Sequence, residues 1–137
     1  MTRRRINVFF YGLFMDADAL RAKGVEPMNP RRVYVPGFAL RIGQRATLVP
    51  DPDAHVYGIL MQLSHDEIER LYAEPGVQMY RPEAVIAELD DTARIPALCF
   101  NLPVAPGPDE VNVEYAQKLR DLARRLGLPA DYVERIA

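Results

Sequence analysis

Two short stretches of this chain hold residue types that could do chemistry together. The first is Glu74, which stands just before Pro75-Gly76-Val77 and just past a helix opened by Ser64-His65-Asp66-Glu67. A helix is electronegative at its C-terminal end, and that field together with partial burial disfavours a negative charge. A carboxylate placed there is suited to taking up a proton and returning it. A solvated loop glutamate would read the same way. The second stretch is Tyr11-Gly12-Leu13-Phe14, which follows the β-branched and aromatic run Ile6-Asn7-Val8-Phe9-Phe10. Gly12 breaks that run, and Asp16-Ala17-Asp18 supplies an N-cap and an acidic first turn for a helix reaching about Arg21. A buried strand that ends in a glycine loop before a helix start leaves backbone N–H groups free to hold an anion. A plain strand-to-helix turn, in which glycine relieves sterics, fits the same residues.

Other chemistries find little to work with. His55 and His65 stand far apart, with no Cys or carboxylate at ligand spacing, so no metal site is expected. No Walker loop, dinucleotide fingerprint or serine elbow is present, and no cofactor is expected. Cys99 lies in the apolar run Pro96-Ala97-Leu98-Cys99-Phe100 and reads as a buried core thiol. As the single cysteine it fits a reducing, cytoplasmic setting. The net charge of −2 with 26% charged residues argues against a nucleic-acid partner, and Arg3-Arg4-Arg5 reads as a solvated basic end. No apolar run nears the roughly 20 residues of a membrane helix, and the N-terminal pattern lacks a signal-peptide cleavage site.

The elements that must position Glu74 and the glycine loop follow from periodicity. At 137 residues the chain suits one domain, 1–137. Residues 23–30 are punctuated by glycine and prolines and read as loop, followed by strands at 32–35 and 38–42 around Pro36-Gly37. A short strand at 46–49, a turn at 50–53 and a central strand at 55–63 come next, with Gly58 marking a bulge or a close backbone approach. Ser64 and Glu67 form a capping box for a helix from His65 to about Ala73, which Pro75 ends. A hairpin pairs 79–89 with 94–101 through Asp90-Asp91, and 103–108 is a proline-rich loop. Tyr115, Leu119, Leu122 and Leu126 hold helical spacing ahead of a C-capping Gly127, and a short helix occupies 129–136. About six strands joined largely as hairpins predict an α+β fold, a mostly antiparallel sheet or small barrel with a few helices.

The order of these pieces has a counterpart. The Tyr11-Gly12 loop, Pro36-Gly37-Phe38, Arg45-Ala46-Thr47-Leu48, Val56-Tyr57-Gly58, a helix, Glu74 and Gly76, Tyr80-Arg81, and Leu126-Gly127-Leu128-Pro129 ahead of Tyr132 follow one another along nearly the whole chain. In that order they resemble the gamma-glutamylcyclotransferase-like (AIG2-like) family. The resemblance implies a small mixed β-barrel with a central cavity. It also implies a transferase chemistry in which the α-amine of a γ-glutamyl compound attacks its own γ-carbonyl, giving 5-oxoproline and a free amine or amino acid. The family's loop backbone holds the γ-glutamyl moiety, which points to Tyr11, Gly12, Leu13 and Phe14 here. Tyr80 falls on a cavity-lining tyrosine. A glutamate shuttles the proton, and Glu74 is the match. Such a reaction is intramolecular, so a protein has mainly to fold the substrate and move protons.

Two departures stand against that carry-over. Leu13 occupies the place of the family's loop serine, removing a hydroxyl but keeping the backbone amides. Aligned on Gly76, the family's glutamate falls on Pro75, so Glu74 lies one residue early, with Glu83 on the next strand a weaker substitute. The expectations are therefore an enzyme on a small γ-glutamyl amine or amino acid, or a non-catalytic member whose cavity binds a small acidic metabolite. An interaction module, dimeric through residues 115–126 or the apolar hairpin, is the third reading.

Overall fold

The computed structural model describes residues 4–89 and 93–137. Strand β1 (Arg5–Phe10) buries Val8, Phe9 and Phe10 and runs antiparallel to β3 (Ala46–Ser64), from Arg5 opposite Ser64 to Phe10 opposite Ile59. Strand β2 (Met28–Ile42) forms the other side of β3. A hairpin of β4 (Arg81–Leu89) and β5 (Ala93–Asn101) pairs in register from Arg81–Asn101 to Leu89–Ala93. Two junctions complete the ring: Tyr34 of β2 meets Glu88 of β4 antiparallel, and Val8 of β1 meets Leu98 of β5 parallel. The order β1-β3-β2-β4-β5 is a closed, mostly antiparallel barrel, in keeping with the α+β expectation.

Five strands, not about six, make up the described residues, because two expected breaks do not end pairing. The turn at 50–53 exists locally, with Asp51 Oδ1 accepting the Asp53 amide at 3.0 Å, but it bulges out of β3 while pairing resumes on both sides. Pro36-Gly37 is likewise absorbed, as a register shift between Pro36 and Phe38 within β2. The expected loop at 23–30 is shorter than its prolines suggested, since pairing already starts at Met28 opposite Gln62. The hairpin turn at Asp90-Asp91 lies outside the described residues. Gly58 is the close approach anticipated for it: a Cβ there would lie 2.2 Å from the Phe10 carbonyl oxygen.

The helices cap as their sequences dictate. Asp16 accepts the amides of Asp18 and Ala19 at the start of α1 (Ala17–Ala22). In α2 (His65–Tyr72) both halves of the Ser64–Glu67 capping box are present. Helix α3 (Val113–Arg125) opens on Asn112 and closes at Gly127, whose φ of 79° lets the Leu128 amide reach back to the Ala123 carbonyl at 3.0 Å. Helix α4 (Ala130–Glu134) follows. None of these helices is long and apolar enough to cross a membrane.

One expectation for the N-terminus needs correction. Arg4 is exposed and Arg3 lies outside the described residues, but Arg5 is no solvated charge. Its guanidinium donates to the carbonyls of Glu26 and Gln62 and pairs at 3.2 Å with Glu67, which is 2% exposed. Strand pairing with Ser64 brings Arg5 to the start of α2, where a carboxylate buried for capping requires a counter-charge.

Candidate functional site

At the end of the barrel where β1 stops, five segments surround a cavity of about 310 Å³. Phe9 and Phe10 lead into the glycine loop, whose Tyr11, Gly12, Leu13 and Phe14 form one wall. The turn between β2 and β3 adds Gln44, Arg45 and Ala46. Tyr72 at the end of α2, followed by Gly76, Val77 and Tyr80, forms the opposite side, and Phe100 of β5 and Tyr115 of α3 complete it.

The loop is held in place by a single 3-10 turn over Leu13–Met15, with the Met15 amide on the Gly12 carbonyl and the Asp16 amide on the Leu13 carbonyl. The amides of Leu13 and Phe14 are left outside that turn's own hydrogen bonds. The Leu13 amide faces the Tyr115 hydroxyl, which in turn packs so closely on Gly12 that a Cβ there would lie 2.7 Å from it. Glycine at position 12 is therefore a matter of space.

The aromatic walls are ordered by contacts among themselves. Tyr72 stacks on Phe100 with centroids 4.0 Å apart and meets Phe14 edge-on at 5.9 Å. The buried Tyr11 hydroxyl donates to the Phe100 carbonyl at 2.7 Å, and the Tyr80 hydroxyl donates to the Ala46 carbonyl. Burial pushes all four phenols, Tyr11, Tyr72, Tyr80 and Tyr115, above the usual tyrosine value. For Tyr11 the neighbouring Cys99, Tyr80 and Tyr72 add to that; for Tyr80 the Arg45 charge works against it. All four remain protonated at neutral pH, so none can serve as a base.

The structure brings Tyr11, Gly12, Leu13, Phe14 and Tyr80 around this one cavity, and it places Glu74 elsewhere. Both Glu74 carboxylate oxygens accept from the Lys23 ammonium, at 2.8 and 3.0 Å, and the side chain is about one third exposed. Lys23, just beyond α1, thus supplies the counter-charge that the position past a helix C-terminus otherwise lacks. Glu83 does not line the cavity either; it accepts from Asn101 Nδ2 at 2.8 Å. Asn101 in turn takes the Leu48 amide and the thiol of the buried Cys99 on its carbonyl oxygen, and burial raises that thiol well above the usual range. Among the described lining residues there is no Asp, Glu, His or Lys, and Arg45 is the one cation.

Ten of the lining residues were not read from the sequence as site residues, and three of them, Tyr72, Tyr115 and Arg45, carry polar or charged groups that bear on the chemistry. Tyr72 sat on the apolar face of α2 and Tyr115 headed the leucine stripe of α3, both indistinguishable from core packing by spacing alone. Their phenol tips were the available signal, since a buried tyrosine calls for a polar neighbour or a wet face. Arg45 was visible only as part of a run of residues and carried no signal of its own.

A small mixed barrel with an aromatic cavity at one end, fed by a glycine loop, defines the class of this protein. A family model described as gamma-glutamyl cyclotransferase, AIG2-like, matches residues 8–118. The chain belongs to that family. Among solved structures, one described as gamma-glutamyl cyclotransferase superposes with a TM-score of 0.78 at 18% identity, covering 97% of this chain and 86% of that one. YkqA from Bacillus subtilis gives 0.77 at 22% identity, over 97% of this chain but 53% of its own. An uncharacterized protein from Homo sapiens gives 0.77 at 18%, over 96% and 86%. At such identities the likeness is one of fold. No curated protein matches the chain in sequence.

Proposed function

We propose that this family member is a binding protein whose cavity takes a small acidic metabolite, with γ-glutamyl compounds the first class to try. In the loop formed by Tyr11, Gly12, Leu13 and Phe14 the Phe14 amide lies outside the turn's own hydrogen bonds, the Leu13 amide is shared with the Tyr115 hydroxyl, and Tyr80 and its aromatic neighbours enclose the body of the ligand. The observation that carries this reading is that Glu74, the carboxylate expected to move the proton, is held through both oxygens by the Lys23 ammonium, at 2.8 and 3.0 Å, and is not among the residues lining the cavity. Cyclotransfer needs such a group, because an α-ammonium is no nucleophile until it loses its proton.

A second reading keeps the enzyme. Glu74 belongs to the same turn as Gly76 and Val77, which do line the cavity, and a small γ-glutamyl amine or amino acid would be its substrate. Glu74 would then act as general acid and base after leaving Lys23. One experiment separates the two. The protein is incubated with γ-glutamyl amino acids, γ-glutamyl amines and glutathione, and 5-oxoproline release is measured alongside ligand-induced thermal shift. Under the binding reading the midpoint rises by several degrees at saturating ligand without release. Release that disappears in Glu74→Gln overturns it in favour of the enzyme.

A further inference from the structure

Arg45 brings a half-exposed cation to the wall of an otherwise aromatic cavity. Its Nε donates to the Gly76 carbonyl at 2.7 Å, which fixes the guanidinium plane. Its charge acts on the Tyr80 phenol, itself a lining residue. The carboxylates of the flanking segments are already engaged: Glu74 with Lys23, Glu83 with Asn101, and Glu110 with the amides of Gly107 and Gln44. No Asp or Glu among the described residues pairs with Arg45.

We propose that Arg45 binds the carboxylate of the cavity's ligand, and that the ligand is a small carboxylic acid with a flat or apolar body. This rests on the reading of the cavity as a ligand site. A guanidinium presents parallel N–H groups that match a carboxylate two to two, and it keeps its charge at any physiological pH. With Nε spent on Gly76, the terminal nitrogens are the edge left for that match. Among the lining residues the other side-chain donors are neutral, namely the Tyr72 and Tyr115 hydroxyls and the Gln44 amide. Tyr11 and Tyr80 have committed their hydroxyl protons to backbone carbonyls, and Leu13 brings no hydroxyl. Beyond the anion, the stacked Tyr72–Phe100 pair and Phe14 suit a planar amide, lactam or hydrocarbon. The volume of about 310 Å³ is at the small end of ligand pockets and holds a molecule of metabolite size. Arg45 is thereby a specificity-determining residue, selecting for charge.

The test needs first a change in the ligand and then one in the protein. Calorimetric titration of the wild-type chain compares glutaric acid monoamide with glutaric diamide, which differ only in replacing the carboxylate by an amide. The diamide should bind weaker by on the order of tenfold to a hundredfold, the loss of charge-assisted hydrogen bonds. Arg45→Gln, whose side-chain amide can still donate to the Gly76 carbonyl, should lose the same factor toward the monoamide, and Arg45→Lys should fall between. Equal affinity for monoamide and diamide in the wild type overturns the proposal even if every variant misfolds. So does a folded Arg45→Gln that binds the monoamide, or any γ-glutamyl compound found to bind, as tightly as the wild type does; in that event the cavity is still a ligand site. No binding of either glutaric probe or of any γ-glutamyl compound overturns both.

Discussion

Replacing Glu67 by glutamine should cost this protein much of its stability, and should do so only above a certain pH. One carboxylate oxygen accepts from the Ser64 amide at 2.9 Å and from Arg5 at 3.2 Å, and the other accepts from the Glu26 amide at 2.7 Å. Glutamine preserves the shape but turns one oxygen into a donor, which must then face a donor already in place. Losing a charge-assisted bond costs about 1.5–3 kcal/mol, and a buried donor left unanswered adds about 1–3 more. Allowing for partial relaxation, the net loss is about 2–5 kcal/mol at pH 7. For a chain of this length that is a fall of about 6–20 °C in the unfolding midpoint. Burial by itself pushes the Glu67 carboxyl up, but the Ser64 and Glu26 amides, the Ser64 hydroxyl and Arg5 more than offset it, leaving it below the usual carboxylate value. The folded value therefore lies under the unfolded one. The stabilisation is complete above the unfolded carboxylate's value of about 4.3 and is lost as pH falls through the lowered folded value. Urea unfolding followed by circular dichroism, for both chains from pH 7 to pH 3, should show a gap that closes at the acid end. A gap under about 0.5 kcal/mol at pH 7, or one that persists undiminished to pH 3, would refute the assignment of Glu67 as a buried, ionised clasp between β1, the Glu26 segment and α2.

Two further substitutions test close packing at the foot of the cavity. In Gly58→Ala the new methyl would sit 2.2 Å from the Phe10 carbonyl oxygen and 2.8 Å from the Phe9 ring, and a strand backbone cannot retreat without parting β1 from β3. A loss of about 3 kcal/mol or more is expected in denaturant unfolding; a loss under 1 would mean the strands are less closely apposed. Gly12→Ala meets only the tip of Tyr115, at 2.7 Å, and should cost about 1–2 kcal/mol. Adding Tyr115→Phe removes the offending oxygen, so the double variant should recover most of that loss; simple additivity of the two effects would rule the contact out as the cause.

Local chemistry was legible in the sequence where a few adjacent residues decide the outcome. The capping box at Ser64 and Glu67, the cap at Asp16, the glycine after α3 and the β4–β5 hairpin all follow from neighbours in the chain. The cavity's loop and Tyr80 were legible through the order of motifs. Less legible were features decided across the fold. Asp51 can make a turn without ending a strand only because β2 shifts register opposite it, and no local pattern reports that. Arg5 looked like a surface charge because its partner lies on α2. Lys23 takes hold of Glu74 from the end of α1, a juxtaposition that one residue of displacement before Pro75 made impossible to judge from spacing. Tyr72 and Tyr115 share the periodicity of core residues, and only the assembled barrel shows that they border a cavity.

The parallel junction of Val8 with Leu98 has a consequence for how the barrel comes into being. The β2–β3 and β4–β5 pairs join neighbours in the chain and can zip early. Strand β1 has no such neighbour: its antiparallel partner starts at Ile59, and its parallel partner is emerging only after most of the chain has been made. Until β5 emerges, β1 has its antiparallel partner in β3 but lacks the neighbour that meets Val8 on its other edge. The cavity borders on this last seam, since the loop after β1 lies on one side of it and Phe100 of β5 on the other. The cavity is therefore completed only when the ring shuts, and a ligand of the kind proposed for it would double as a reporter of completed folding.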